Sequence, residues 1–180
     1  MLEGKNVNLR VMEKEDLPLH AGWSNNQEFQ GEYYFPTQRS RTETEKVMSE
    51  PGPYEWKDFV IEKKDGPKIG IIDSFYMLHP MGKVPEIGYA LIPSERGKGY
   101  CTEAAQIMVD YLFLTKEAPC IQTSTDARNT ASQRVLEKIG FKKEGTMRKR
   151  FYSRGDWQDT ILFSILREEW KEPKILTKTT

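Results

Sequence analysis

The stretch that decides the fold is Glu86-Ile87-Gly88-Tyr89-Ala90-Leu91-Ile92, followed at once by Pro93-Ser94-Glu95-Arg96-Gly97-Lys98-Gly99-Tyr100-Cys101-Thr102-Glu103. The first seven residues read as a strand that stops at Pro93, which cannot donate to a sheet ladder. From about Thr102 to Thr115, Ala104, Met108, Tyr111 and Leu112 fall on one helical face, with Glu103 in the first turn where the dipole favours negative charge. Between strand and helix, Arg96 to Cys101 carries two glycines. They let the backbone approach a ligand closely, and successive free N–H groups at a helix N-terminus point at a bound anion. Strand, glycine-rich loop, helix is therefore a phosphate-binding order, the alternative being a surface turn with two convenient glycines. A P-loop is excluded, because Ile92 stands where its first glycine is needed and Gly99 replaces the hydroxyl residue after the lysine. A G-x-G-x-x-G dinucleotide fingerprint fails at Thr102.

Upstream, Trp56 to Ile61, a Lys63-Lys64-Asp65-Gly66 turn and Ile69 to Phe75 form a hairpin, and a loop with Pro80 and Gly82 leads into the decisive strand. Val7 to Val11 alternates apolar and polar as a half-buried strand does, and Glu15-Asp16 opens a short helix through Trp23. Gly31 to Pro36 is an irregular aromatic stretch, and Ser40 to Met48 has the character of another helix. Downstream, Ile121 to Thr125 is a strand, and Ala131, Val135, Leu136 and Ile139 give the next helix a buried stripe. Gly140 suits its left-handed C′ position, with Phe141 touching Leu136. Phe141 to Phe151, a Ser153-Arg154-Gly155-Asp156 turn and Asp159 to Leu166 make a second hairpin. No repeat or linker interrupts the chain, so residues 1–172 read as one domain and 173–180 as a frayed tail.

Composition narrows the partners. Basic and acidic side chains balance at 27 each, which gives no global field for nucleic acid or an anionic membrane and favours a small, mixed-charge partner. The two cysteines, Cys101 and Cys120, are too few for a disulfide framework, and His20 and His79 stand too far apart for metal-ligand spacing. The first residues lack the apolar core of a signal peptide and no run is long enough to cross a bilayer, so the expected location is cytoplasmic.

Arg96, Gly99 and Cys101 resemble the pyrophosphate loop Gln/Arg-x-x-Gly-x-Gly/Ala of the GCN5-related N-acetyltransferase (GNAT) superfamily, with Cys101 as the departure. Asn129-Thr130-Ala131-Ser132-Gln133-Arg134-Val135-Leu136-Glu137-Lys138-Ile139-Gly140-Phe141 is similar to that family's Asn-led helix ending in Lys-x-Gly-Phe. With Glu86 to Tyr89 before the loop and Trp157 and Trp170 near the end, the whole chain resembles the RimJ/RimL-like branch, which acetylates protein N-termini, though relatives acetylate small amines. The resemblance implies an α/β (α+β) fold with a mixed, largely antiparallel sheet of about six to seven strands flanked by about four helices. It also implies acetyl-coenzyme A as acyl donor, no metal, and an amine as acceptor.

Roles follow from the same resemblance. Arg96, Gly97, Lys98, Gly99, Tyr100 and Cys101 hold the pyrophosphate, and Glu86 takes a proton from the attacking ammonium. The tyrosine that protonates the leaving thiolate in many relatives is replaced by Leu136, which passes that role to Ser132. Asn129 caps its helix, worth about 1 kcal/mol, and bonds the pantetheine arm. Backbone N–H groups at Leu91 and Ile92 stabilise the oxyanion where relatives have a splayed strand. The ordinary alternatives are a salt-bridged strand glutamate at Glu86 and a backbone-bonded helix serine at Ser132. Trp23, Tyr33, Tyr34 and Phe35 frame the acceptor or simply pack. The basic run Lys138, Lys142, Lys143, Arg148, Lys149, Arg150 and Arg154 is a solvated hairpin by default or meets the coenzyme 3′-phosphate, and direct nucleic-acid binding is not expected. The favoured acceptor is a protein or peptide α-amine; the alternatives are a small-molecule amine and a non-catalytic acyl-coenzyme A sensor, in a monomer or homodimer.

Overall fold

The computed structural model describes residues 1–34, 38–49, 56–79 and 82–176. Its strands are β1 (Leu2–Glu3), β2 (Val7–Val11), β3 (Lys57–Lys63), β4 (Lys68–His79), β5 (Gly82–Leu91), β6 (Cys120–Asp126), β7 (Lys142–Ser153) and β8 (Asp156–Leu166). The helices are α1 (Leu17–Ser24), α2 (Gln27–Gln30), α3 (Arg41–Ser49), α4 (Tyr100–Thr115) and α5 (Thr130–Lys138). All eight strands form one sheet in the order β1-β2-β3-β4-β5-β6-β8-β7. Every neighbouring pair is antiparallel except β5 and β6. The mixed, largely antiparallel α/β architecture expected from the sequence is therefore present, with one strand more than the upper expectation. The addition is β1, whose two residues pair Leu2 with Leu9 and Glu3 with Asn8, too short a run to show periodicity.

The core lies under α4, where Ala104, Ala105, Ile107, Met108, Val109 and Leu112 are buried against Leu9, Ile61, Ile72, Ile87 and Ile121. Burial extends round α4 beyond the stripe seen in the sequence, taking in Gln106 and Asp110, while Tyr111 is only half-buried. On α5 and its C-cap the buried residues are Leu136 and Ile139; Ala131, expected in that stripe, is exposed because it lies in the first turn, away from the core-facing end. Gly140 N–H bonds Glu137 O at 3.1 Å and Phe141 N–H bonds Leu136 O at 3.0 Å, closing α5 in the Schellman arrangement the Gly-Phe pair predicts.

Two connections differ from expectation. Strands β4 and β5 run on to His79 and from Gly82, so Gly82 belongs to a strand rather than a loop, while Pro80 lies outside the described residues, as do Phe35 and 177–180. At the C-terminus, residues expected to fray are held. The buried Asp110 carboxylate accepts from Gln106 Nε2 and Trp170 Nε1 on Oδ1, at 3.2 and 2.9 Å. On Oδ2 it accepts from three successive amides, Lys174, Ile175 and Leu176, at 3.0, 2.8 and 3.2 Å. No helix among the described residues is long and apolar enough to cross a membrane.

Candidate active site

Strand β5 delivers the chain to the glycine-rich loop through one turn of 3-10 helix at Pro93–Glu95. Gly97 and Gly99 both adopt positive φ, +76° and +87°, and an added Cβ at either would meet nothing within 4 Å. They are needed for the left-handed backbone rather than for space. Gly99 is the N-cap of α4 and brings no capping side chain, and Glu103 N–H closes the first helical bond to Gly99 O at 3.1 Å. The N–H groups of Tyr100, Cys101 and Thr102 are thus left without intrahelical acceptors at the positive end of a 16-residue helix. Such a set of free amides can receive an anion such as a diphosphate.

The side chains around it are committed to building the cradle. Arg96 donates from Nε to Leu91 O at 3.0 Å and from Nη2 to Glu28 O and Phe29 O, both at 2.8 Å, tying the loop to β5 and to the end of α2. Lys98 pairs with Glu95 at 3.2 Å, and the Tyr100 ring packs partly on the core. Burial pushes the Cys101 thiol up to about 12, so it stays neutral, and its backbone N–H remains in the cradle. Asn129 accepts Ser132 N–H at 3.1 Å and so caps α5, as the sequence indicates.

Beside the loop the sheet opens. Strands β5 and β6 share a single pair, Glu86 with Gln122, whereas β6 and β8 are paired from Cys120 to Asp126. The β4–β5 register is unbroken from Gly70↔Leu91 to His79↔Gly82, so the opening owes nothing to a bulge. Ile92 N–H donates to Ile69 O at 2.9 Å. Antiparallel alternation then turns the polar groups of even-numbered β5 residues to β4 and those of odd-numbered residues toward β6. Pro85 is tolerated in β5 for the same reason, since its missing donor falls on the barely paired side. The expected pair of oxyanion donors is corrected accordingly: Ile92 N–H is spent on β4, and only Leu91 N–H, with Tyr89 N–H, faces the gap.

The two faces of β5 carry different chemistry. On the α4 face, Tyr89 follows Ile87 and precedes Leu91, and its hydroxyl lies 3.0 Å from Ser132 Oγ. Burial, reinforced by Cys101, holds the Tyr89 phenol above its ordinary range despite the Ser132 bond, so it remains a proton donor. Tyr89 was not singled out in the sequence; the signal was an aromatic hydroxyl alternating with two core aliphatics beside the loop. On the opposite face, Glu86 accepts from Gln122 Nε2 at 2.9 Å, across the one rung joining the half-sheets. Burial raises the Glu86 carboxyl above the usual range, against the lowering effects of Gln122 and Arg150. Glu86 and Ser132 thus flank the gap from opposite sides of the sheet.

The Glu86 face continues into acid. Asp58 pairs with Asp73, which pairs with Gly88, so the two aspartates are direct cross-strand neighbours on one face. Such side chains have Cβ atoms about 5 Å apart. Phe75 opposes Glu86 on the same face and stacks on Trp56 at 4.5 Å, while Trp56 Nε1 donates to Asp58 at 2.9 Å. A Cβ at Gly88 would lie 2.7 Å from Asp73 Oδ1, so the missing side chain there makes room for the carboxylate. Among the described residues, Asp73 Oδ1 is buried without a hydrogen-bond partner. Burial and the neighbouring Asp58 charge push Asp73 up to about 8. Burial also raises Asp58, opposed by the Trp56 bond and by His20. Of the aromatics expected to frame an acceptor, Tyr34 is half exposed and its phenol is raised by burial and by Asp73. Trp23 stacks on Phe29 at 5.1 Å and the Tyr33 ring lies 5.6 Å from the Arg128 guanidinium carbon. Asp58 and Asp73 escaped the sequence reading because neither sits in a motif; only strand register makes them a pair.

Comparison with known proteins bears on the family and the fold. The family model described as Acetyltransferase (GNAT) domain matches residues 6–142. The chain is 33% identical over 180 residues to the probable N-acetyltransferase YjcK of Bacillus subtilis (strain 168), covering 94% of this chain and 98% of that protein. It is 33% identical over 110 residues to the putative ribosomal N-acetyltransferase YdaF of the same organism, 61% of this chain and 60% of that protein. A spermidine N-acetyltransferase from Vibrio cholerae, solved in complex with CoA and spermine, has the same fold at 23% identity, with a TM-score of 0.82 over 92% of this chain and 98% of that one.

Proposed function

The chain belongs to the GNAT acetyltransferase family, and on that premise we propose that it acetylates a small polycationic amine, with Glu86 as base and the Asp58–Asp73 face as the acceptor's second anchor. That the chain is an N-acetyltransferase using acetyl-coenzyme A as cosubstrate is given by its family and full-length relatives. The acceptor class rests on one observation: adjoining carboxylates, one with a buried oxygen unpartnered among the described residues, lie on the same face of the sheet as the proposed base. A single α-ammonium on a peptide has no use for a second anionic anchor; a diamine or polyamine supplies its partner. The spermine-bound relative supports this reading more than the protein N-terminus expected from the sequence, for which the ribosomal relative matches only part of the chain.

In this reading the acyl donor lies in the β5–β6 gap with its diphosphate on the loop. The incoming ammonium gives one proton to Glu86, and the neutral nitrogen attacks the thioester carbonyl, whose oxygen turns toward Leu91 N–H. The C–S bond breaks, the departing thiolate takes a proton from the Tyr89–Ser132 pair, and the nitrogen's remaining surplus proton passes to water, from which that pair is re-protonated while Glu86 gives up its own proton to solvent. Tyr89→Phe and Ser132→Ala are each expected to lower kcat by about 10²-fold or less, with the larger effect at whichever hydroxyl is the immediate donor. Steady-state thiol release at saturating acceptor checks this; unaltered kcat in both variants removes the pair from the mechanism.

The acceptor is tested by following thiol release from acetyl-coenzyme A against diamines, polyamines, amino acids, aminoglycosides and N-terminal peptides. The expected order places polyamines first by kcat/KM. Peptide turnover with none on polyamines would restore the N-terminal reading, and tight donor binding with no turnover on any acceptor would favour a sensor.

A further inference from the structure

Helix α2 is a single turn whose ends are capped by different parts of the chain. At its start the Asn26 side chain accepts the N–H groups of Glu28 and Phe29, at 2.8 and 3.2 Å. At its end the carbonyls of Glu28 and Phe29 fall in the last turn, where a helix supplies no donor, and Arg96 Nη2 bonds both while its Nε holds Leu91 O at the end of β5. So short a helix has little stability of its own, and its place depends on these bonds. The chain leaves α2 through Gly31, at φ +74°, where an added Cβ would lie 3.9 Å from Arg96 Nη1. Gly31 O accepts from Arg154 Nη2, in the β7–β8 turn, at 3.0 Å, and the Tyr33 ring meets the guanidinium of Arg128, just past β6. Residues 28–33 are thus held from both sides of the β5–β6 gap, by Arg96 after β5 and by Arg128 and Arg154 beyond β6. We propose that Arg96 is a positioning residue for the acceptor: its side chain braces residues 28–34 as a wall of the Asp58–Asp73 face and leaves the donor's diphosphate to the loop amides.

The wall reaches the acidic pair through Tyr34. Its phenol lies within range of the Asp73, Arg39 and Asp58 charges, so a shift of the segment moves a group that faces both aspartates. Asn25 closes the base of the same excursion: its side chain accepts Arg39 N–H at 2.9 Å and donates to Arg39 O at 2.8 Å. With the base tied there, the position of residues 28–34 is set by Arg96 and Arg154. Arg96→Lys keeps the charge beside the loop but presents one ammonium, which cannot fork between β5 and α2. A brace and a simple countercharge for the diphosphate therefore give different results in that variant. The proposal rests on placing the acceptor at the Glu86 face.

The test uses the full chain and three measurements: calorimetric Kd for coenzyme A, KM for whichever amine is turned over fastest, and amide hydrogen exchange across residues 27–34 of the free protein. Arg96→Lys is expected to raise the acceptor KM about tenfold, the loss of about one charge-assisted bond, with kcat and the coenzyme Kd within a factor of about two. Arg154→Ala, which acts on Gly31 from the far side of the gap, should also raise the acceptor KM and leave coenzyme affinity unchanged. In both variants exchange at Gln30 and Gly31, whose N–H groups bond Asn26 O and Gln27 O at 3.0 and 2.9 Å, should quicken about tenfold. A coenzyme Kd that rises tenfold in Arg96→Lys, alone or together with the acceptor KM, would overturn the proposal, as would unaltered exchange in both variants. Exchange needs no acceptor, so a chain that turns over no amine would sink the reading of function while faster exchange still supported the brace.

Discussion

Replacing Glu86 with glutamine is expected to lower kcat/KM for a primary amine by on the order of 10²- to 10³-fold while leaving acetyl-coenzyme A binding within a factor of about two. The amide keeps the size of the side chain and can still bond Gln122 after a flip, so the sheet rung survives. What is lost is the acceptor for the ammonium proton. Because burial raises the Glu86 carboxyl, the acid limb of the wild-type kcat/KM profile should fall above the usual glutamate range and should vanish in the variant. A variant that keeps both the rate and that limb would remove Glu86 from the reaction.

The second large effect is expected from Asp73→Asn, which should reduce kcat/KM for a polyamine by about 10²-fold and for a monoamine of similar length by much less. The same substitution should alter stability in the opposite sense at alkaline pH. The Asp73 carboxyl is raised from 3.8 unfolded to about 8 in the fold. A raised group contributes stability that is fully present below the unfolded value and is lost as pH rises through the folded one. The free wild-type protein should therefore lose thermal stability between pH 4 and pH 8 on account of this group, and the asparagine variant should be flatter across that window. A cationic acceptor reverses the penalty by favouring the ionised pair. Polyamine binding near pH 7 should then release protons, which calorimetry in buffers of different ionisation enthalpy measures. Equal proton release by wild type and Asp73→Asn would sink the assignment.

The parts of this site legible in the sequence are those whose physics is local. Gly97, Gly99 and the start of α4 declare an anion cradle within a few residues, and Asn129 and Gly140 mark the ends of α5 by caps that also act within a turn. Gly88 was visible, but its purpose was not, because the atom that needs the space belongs to Asp73 on another strand. The same limit applied to Tyr89, whose partner Ser132 is 43 residues away. Ile92 was misread as an oxyanion donor because the direction of a strand N–H depends on ladder parity, which one strand alone does not reveal. The C-terminal segment was expected to fray from its polar composition, and nothing near it announces that its anchor is Asp110 in α4.

The single rung between Glu86 and Gln122 has a mechanical meaning as well as a chemical one. It divides the sheet into a five-strand plate and a three-strand plate that meet along a seam, with α4 bearing on the larger plate and touching α5. On the proposed placement, a donor lying in the seam would set its own amide groups against the odd-numbered edge of β5 and act as a removable splint. With the donor in that proposed placement, the line of backbone joined by that one rung is also the line that donor binding would stiffen.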